Sequence, residues 1–378
     1  MSTTNNQPGH LDKTYGIDGY TNPPEPNNSS PRPVVKWLNG ILFAPVTPDS
    51  VSRLVHFDGD GQRNLIFGPE GRRDVIPPRN TGFLISSLIS LSDGYIVAGS
   101  AKTPSGEGIF VVLKYLADGG LNEDFGHNGM LEVSLDNVGN CSVPGACTAD
   151  GGYVIPIGQG LNHALLKVTR EGAVDTNFGP NKDGIVEFNL PGEITQIMTV
   201  VVTPDDQILV VGHHLFGNYS AVVCLTSKGA PNSSYGEGGI GKLPSGVAPY
   251  YGVLGSDDGL VVCGGSNGHA MLAKLTPFGE IPSEFNEGNP VVDNSGVRVW
   301  VKCDVDDADR ILVLGKSEEQ FTVARRYDSA GAQDMNYGPG GTWLSSEKNF
   351  DGLSCIFSTQ KGAVMSTEYR ARGWRLHP

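Results

Sequence analysis

Apolar residues in this chain fall in short, strand-sized blocks, such as 197–202 and 208–211, separated by turn residues. Seven times a turn splits a pair of such blocks: Asn39-Gly40, Asp93-Gly94, Asp150-Gly151, Asp205-Asp206, Asp258-Gly259, Ala308-Asp309 and Lys361-Gly362. Short polar turns between alternating apolar segments predict β-hairpins. In the clearest unit the pattern predicts strands over 86–91, 95–101, 109–116 and 130–135. No segment sustains a 3.6-residue apolar period, so almost no helix is expected.

A second mark lies between the hairpins. Residues 9–19 read Gly-x-x-Asp-x-x-Tyr-Gly-x-x-Gly, and versions of this signature return at 61–71, 119–129, 172–184, 229–239, 279–289 and 331–341. The aromatic anchors are Tyr15, Phe67, Phe125, Phe178, Tyr235, Phe285 and Tyr337, and a glycine precedes each by six positions. Successive anchors are 50 to 58 residues apart. Glycine supplies the positive φ of tight turns, and the Asp or Asn three residues before the aromatic caps a turn through its side chain. The aromatic itself is expected to plug the gap between neighbouring units. The sixth copy departs from the rule at Pro282 and Asn286, and the fourth has two residues inserted before Gly184.

Four short strands in a unit of this length match the blades of a propeller. A β-helix is the structural alternative, but its rungs are usually shorter. Six units are complete, each a hairpin followed by a signature. The seventh has its hairpin at Lys361-Gly362 and a third strand near 373–377, where the chain ends. The unattached first signature supplies what that unit lacks. The expectation is an all-β, seven-bladed β-propeller with four-stranded blades. Its ring is closed by an N-terminal strand (9–20) that completes the C-terminal blade and covers an open sheet edge. Residues 1–8 are expected to be a disordered tail and 21–33 a Pro-rich connection, with the blades over 34–378.

The unit resembles the bacterial delta-sixty repeat, a propeller-type repeat family, over nearly the whole chain from Gly9 onward. The resemblance implies architecture. Similar repeats occur in bacterial, often surface-associated proteins with no common catalytic motif, so it implies no catalytic residue.

Composition agrees with many turns: 52 Gly and 25 Pro in 378 residues, with only 18% charged. The 41 acidic and 27 basic residues give a net charge of −14, which repels phosphate backbones and argues against nucleic acid or anionic membranes as partners. No apolar run reaches the length of a membrane helix. The N-terminus has no basic region followed by an apolar one, so a cytoplasmic protein, or one exported by a signal-independent route, is expected. The six cysteines show no paired spacing and are expected to be buried thiols.

Candidate chemistry concentrates on the loops of the fourth and fifth blades. His213, His214, Phe216, Asn218 and Tyr219 lie in one, Tyr250 and Tyr251 in the next, and Asn267 and His269 in a third. Aromatic walls with a few polar groups suit a small molecule or glycan. The ligand-binding candidates are His213, His214, Asn218, Tyr219, Tyr250, Tyr251 and His269. Adjacent residues in extended chain point to opposite faces, which weakens His213-His214 as a metal site. Asp58-Gly59-Asp60-Gly61 resembles the start of a calcium loop but lacks the downstream glutamate, and reads as a turn. Asp304, Asp306, Asp307 and Asp309 read as a solvated turn. Trp37, Trp300, Trp343 and Trp374 share no repeated position and are expected to pack in the core.

No catalytic, metal or cofactor set is assigned. The first reading is a monomeric, non-enzymatic scaffold that presents one propeller face to a protein or other partner. The alternatives are a carbohydrate-binding module, and a polysaccharide lyase or hydrolase.

Overall fold

A computed structural model describes residues 7–21, 33–45, 51–77, 81–135, 138–139, 141–159, 162–188, 194–213, 220–348, 353–359, 361–367 and 373–378. The chain is a β-propeller of seven antiparallel blades in a ring. Blade 1 pairs Val34–Trp37, Gly40–Phe43, Arg53–Phe57 and Arg72–Asp74 in that order. Blade 2 uses Thr81–Ser90, Gly94–Lys102, Gly108–Leu116 and Met130–Val133. In blade 3 the inner strand is split into Val138–Gly139 and Ala146–Cys147, both paired with Tyr153–Gln159; Asn162–Val168 and Ile185–Glu187 follow. Blade 4 has Gln196–Val202, Ile208–His213 and Ser220–Leu225, with a single bridge from Val223 to Ile240 at the outer position. Blades 5 and 6 are complete, with inner strands Val247–Leu254 and Val297–Val305. Among the described residues helix is confined to three short 3-10 turns, and none is long and apolar enough to cross a membrane.

Blade 7 contains Leu353–Thr359, Gly362–Thr367 and Gly373–Leu376. Its outer position is filled by the N-terminus, which bridges Leu11 to Leu376 and Tyr20 to Trp374. The N–H of Asp12 donates to the Arg375 carbonyl at 2.9 Å, and the His377 N–H to that of His10 at 2.9 Å. The segment pairs through separate bridges rather than one continuous strand. Two residues of the segment expected as a tail are bonded: Gln7 accepts from the His10 N–H, and Pro8 from that of Gly338. Residues 1–6 and most of the Pro-rich connection lie outside the described residues.

The core sits between blades. Each hydrophobic cluster joins two consecutive blades, and every seam of the ring has one. The seven aromatic anchors are all buried, each in the seam toward the next blade. Tyr15 packs with Ile41, Phe57 and Val364, so the N-terminus fills the seam between blades 7 and 1. Full burial of one such ring is worth about 1.5–3 kcal/mol. Trp37, Trp300 and Trp374 are buried, as expected of the scattered tryptophans, whereas Trp343 is partly buried against the cluster between blades 6 and 7.

The first glycine of most signatures has a further reason beyond its turn. A side chain at Gly61 would meet the Tyr15 ring at 2.8 Å, and one at Gly279 the Tyr235 ring at 2.7 Å. In five copies, at Gly61, Gly172, Gly229, Gly279 and Gly331, the glycine is the floor on which the preceding blade's aromatic rests, whereas Gly119 lies against Arg73 and Gly9 against the Tyr337 and Gly338 backbone.

Candidate functional site

The inner strands do not run evenly. Register shifts leave one residue unpaired at Met198 in blade 4, Tyr250 in blade 5 and Val301 in blade 6. A bulge bends its strand and re-aims the extra side chain. These three residues all line one cavity of about 770 Å³. Its other walls come from the hairpins joining second to third strands (His163, residues 265–268, Lys316 and Gln320) and from Ser142, Val143 and Gly246, which lead into inner strands. The cavity therefore spans the mouth of the ring across blades 3 to 6. Blade 6 has a second bulge, at Arg298, which also faces the cavity.

The ligand-binding candidates separate. Tyr250 lines the cavity beside Ser266 and Asn267. It and Tyr251 belong to an inner strand rather than a loop, and the bulge sends them to different surroundings. Tyr251 packs against the core shared by blades 5 and 6, with the Lys302 ammonium 4.1 Å from its ring centre. Burial pushes its phenol well above the usual range. His213 ends the second strand of blade 4, and His269 begins the third strand of blade 5; neither lines the cavity. His214, Phe216, Asn218 and Tyr219 lie outside the described residues.

His163, Arg298, Lys302 and Lys316 were not among the sequence candidates. Nothing in the local pattern singles them out, because the cavity is assembled from four blades and the bulges break the alternation that would tell inside from outside.

His163 comes close to a cysteine–histidine pair. The Cys141 sulfur lies 3.3 Å from His163 Nδ1. That nitrogen also accepts from the Ile197 N–H at 2.9 Å, which leaves the proton of a neutral ring on Nε2. Burial holds the imidazole down to about 4, with a smaller contribution from His213, and pushes the Cys141 thiol far up. A reactive thiolate needs the opposite shifts. The pair is a neutral packing contact, and His163 offers the cavity an N–H donor.

The acidic stretches also resolve. Asp58 accepts from the N–H groups of Asp60 and Gln62, closing a turn. Asp306 does the same for Ala308 and Arg310 and pairs with the Arg310 side chain. Asp304 is the exception to the solvated turn expected there. It is enclosed by blades 6 and 7, accepts from the Ser358 N–H, and burial pushes its carboxyl up to about 6. Lys36 of blade 1 donates to the Ser358 carbonyl at 2.8 Å, so these groups gather at the end of the inner strands away from the cavity. Of the cysteines, Cys147 is exposed and the other five are buried, all as free thiols. Among the described residues no three His, Cys, Asp or Glu side chains form a metal-holding group.

Neither a protein-family model nor a curated protein sequence matches the chain. Solved structures do. The WD40 β-propeller domain of Doa1 is 10% identical over 97% of this chain and 95% of that chain, with a TM-score of 0.50. Prolyl oligopeptidase B from Galerina marginata is 12% identical over 89% of this chain and 47% of that chain, at 0.50. The PQQ-bound aldose sugar dehydrogenase from Streptomyces coelicolor is 15% identical over 65% of this chain and 78% of that chain, at 0.42. Identities this low speak to architecture alone, and the match to the WD40 domain is to a β-propeller, the architecture of this chain.

Proposed function

We propose that this protein is a non-catalytic binding module whose ligand face is the cavity at the mouth of blades 3 to 6. One observation carries the reading: three consecutive inner strands each bulge at the same level and turn Met198, Tyr250 and Val301 into one open cavity. Inner strands of blades 2 and 7 also shift register; those of blades 4 to 6 are set apart by the one concave lining they share, an apolar wall with polar hairpins around it that suits a ligand. The Cys141–His163 pair, held neutral, supports binding over catalysis. A carbohydrate is favoured over a flat protein epitope by a concave lining that combines the aromatic Tyr250 with the polar residues Ser266 and Asn267. The kinship of the repeat with the delta-sixty family belongs to this proposal and rests on the seven signatures.

The test is a glycan array and a set of purified candidate partners, probed with the native protein, Tyr250→Ala and Leu65→Asp. Leu65 is an exposed apolar residue (71% exposed) in another pocket. Binding abolished by Tyr250→Ala and kept by Leu65→Asp is expected. The reverse pattern would move the ligand face to the blade 1 signature loop.

A further inference from the structure

We infer that the mouth cavity takes an acidic oligosaccharide, its carboxylates meeting Arg298 and Lys316. This rests on the mouth being the ligand face. The chain has 41 acidic and 27 basic residues, so a cavity wall drawn at random would carry more carboxylates than cations. Among the described residues this wall holds three cations and no Asp or Glu. Among the described residues neither Arg298 nor Lys316 has an ion-pair partner. Glu318 and Glu319, the acids nearest Lys316 in sequence, are exposed on the hairpin and are not among the described lining residues.

The placement of the cations is specific. Arg298 is an unpaired bulge residue of the blade 6 inner strand, turned toward the cavity by a register shift of its own. Lys302 lies four residues further along the same strand, with its ammonium over the Tyr251 ring at 4.1 Å, and adds positive charge behind the wall. Lys316 comes from the adjoining second strand. The positive charge is therefore concentrated on the blade 6 side of the mouth. Opposite it stands the neutral side: His163 with its Nε2–H, Ser142, and the apolar Val143 and Ile197. Between them Tyr250 offers a ring face.

A ligand matched to this wall carries anionic groups on one edge, hydroxyls for the hairpin polar groups, and a carbon-rich face for the ring. A uronic-acid oligosaccharide has all three. An acidic peptide has the charge without the pyranose face that Tyr250 suits, and so is the less favoured occupant.

The experiment is calorimetric titration of the full chain with trigalacturonate, maltotriose and hexaglutamate, at about 20 and about 200 mM NaCl. The variants are Arg298→Glu/Lys316→Glu and Tyr250→Ala, each checked for an unchanged melting temperature. The inference expects saturable trigalacturonate binding that weakens with salt and falls about tenfold or more in the charge-reversed variant. It expects maltotriose to bind much more weakly. Absence of trigalacturonate binding overturns the inference, as does tighter binding of hexaglutamate, which would name an acidic peptide instead. Equal binding of maltotriose, lost in Tyr250→Ala and kept in the charge-reversed variant, removes the anionic ligand while the ligand face stands. Trigalacturonate binding untouched by either variant lies elsewhere on the molecule and removes both.

Discussion

His56 and His163 are both held down to about 4, chiefly by burial, against an ordinary value near 6.5. A native state that resists protonation binds fewer protons than the unfolded chain between those two values. The stability these imidazoles contribute is therefore complete above about pH 6.5 and is lost as pH falls toward 4. Asp304 works in the other direction. Its carboxyl is raised to about 6, so the native state binds the extra proton and stability falls as pH rises from about 4 to 6. Shifts of this size are each worth on the order of 1–3 kcal/mol. Two groups against one make acidification destabilising on balance. Thermal melts followed by circular dichroism should show the melting temperature falling between pH 6.5 and 4, with a flatter slope in His163→Gln. Asp304→Asn should melt higher than the native protein at pH 7.5 and no higher at pH 4. A gain of equal size at both pH values would mean that Asp304 is not held protonated.

At the scale of the element, the signature is a joint with interchangeable parts. Its Asp or Asn side chain accepts from the N–H two residues on in six copies, at Asp12, Asn64, Asn122, Asp175, Asn232 and Asp334. The same residue's N–H donates to a carbonyl of the third strand. The residue carrying that carbonyl correlates with the choice of acid or amide. Arg375, Arg326 and Lys167 face Asp12, Asp334 and Asp175, whereas His56 and Cys224 face Asn64 and Asn232. A buried cation needs a carboxylate, while a neutral partner would leave that charge uncompensated. Lys114 with Asn122 is the exception, and its ammonium lies 5.8 Å from the Tyr153 ring centre instead. Pro282 has no N–H to give, and Lys274 of that blade pairs with Asp257 at 2.8 Å.

Two predictions belong to this joint. Asp12 and Arg375 are both 4% exposed, so Asp12→Asn leaves Arg375 with only the longer contact to the exposed Asp60, at 3.5 Å, and should cost about 3 kcal/mol in denaturant unfolding. Asp175→Asn should cost less, because Lys167 keeps Asp150 at 3.1 Å; equal losses would contradict the pairing account. Gly229→Ala should destabilise more than Gly106→Ala. Both have positive φ, but a methyl at Gly229 meets Val186 at 2.5 Å and the Phe178 ring at 3.0 Å, while at Gly106 it meets nothing within 4 Å. The difference, about 1–3 kcal/mol for overpacking, isolates the contact between anchor and glycine from backbone strain.

For the whole molecule, blade number and closure were legible because each rests on a local pattern repeated at a near-constant period. The hairpin turns fall at all seven predicted places, and the strands predicted over 95–101 and 109–116 appear as Gly94–Lys102 and Gly108–Leu116. The cavity was legible only in its location. Tyr250 reached it through a bulge, and a bulge is invisible in a pattern of apolar alternation. Arg298, Lys302 and Lys316 are brought to it by ring geometry that joins segments far apart in sequence. The anchors, by contrast, needed only their spacing: Tyr15 occupies the last seam as Phe67 occupies the first.

The ring depends on that last seam. Gly338 donates to Pro8 at 2.7 Å and Gly16 to Asp60 at 2.7 Å, so the first signature is bonded to blade 6 on one side and blade 1 on the other. Arg375 adds a bond to the Gly59 carbonyl at 2.7 Å. Removing residues 1–20 leaves the Tyr15 site empty, Arg375 without Asp12 and the third strand of blade 7 as an open edge. The direct measurement is thermal unfolding and size-exclusion chromatography of residues 21–378, with and without a synthetic peptide of residues 1–20. The closure account predicts a melting temperature well below that of the full chain, association into larger species, and recovery that rises with peptide concentration, as linkage requires. A truncated chain that melts with the full-length protein, elutes at the same relative size and ignores the peptide would contradict it.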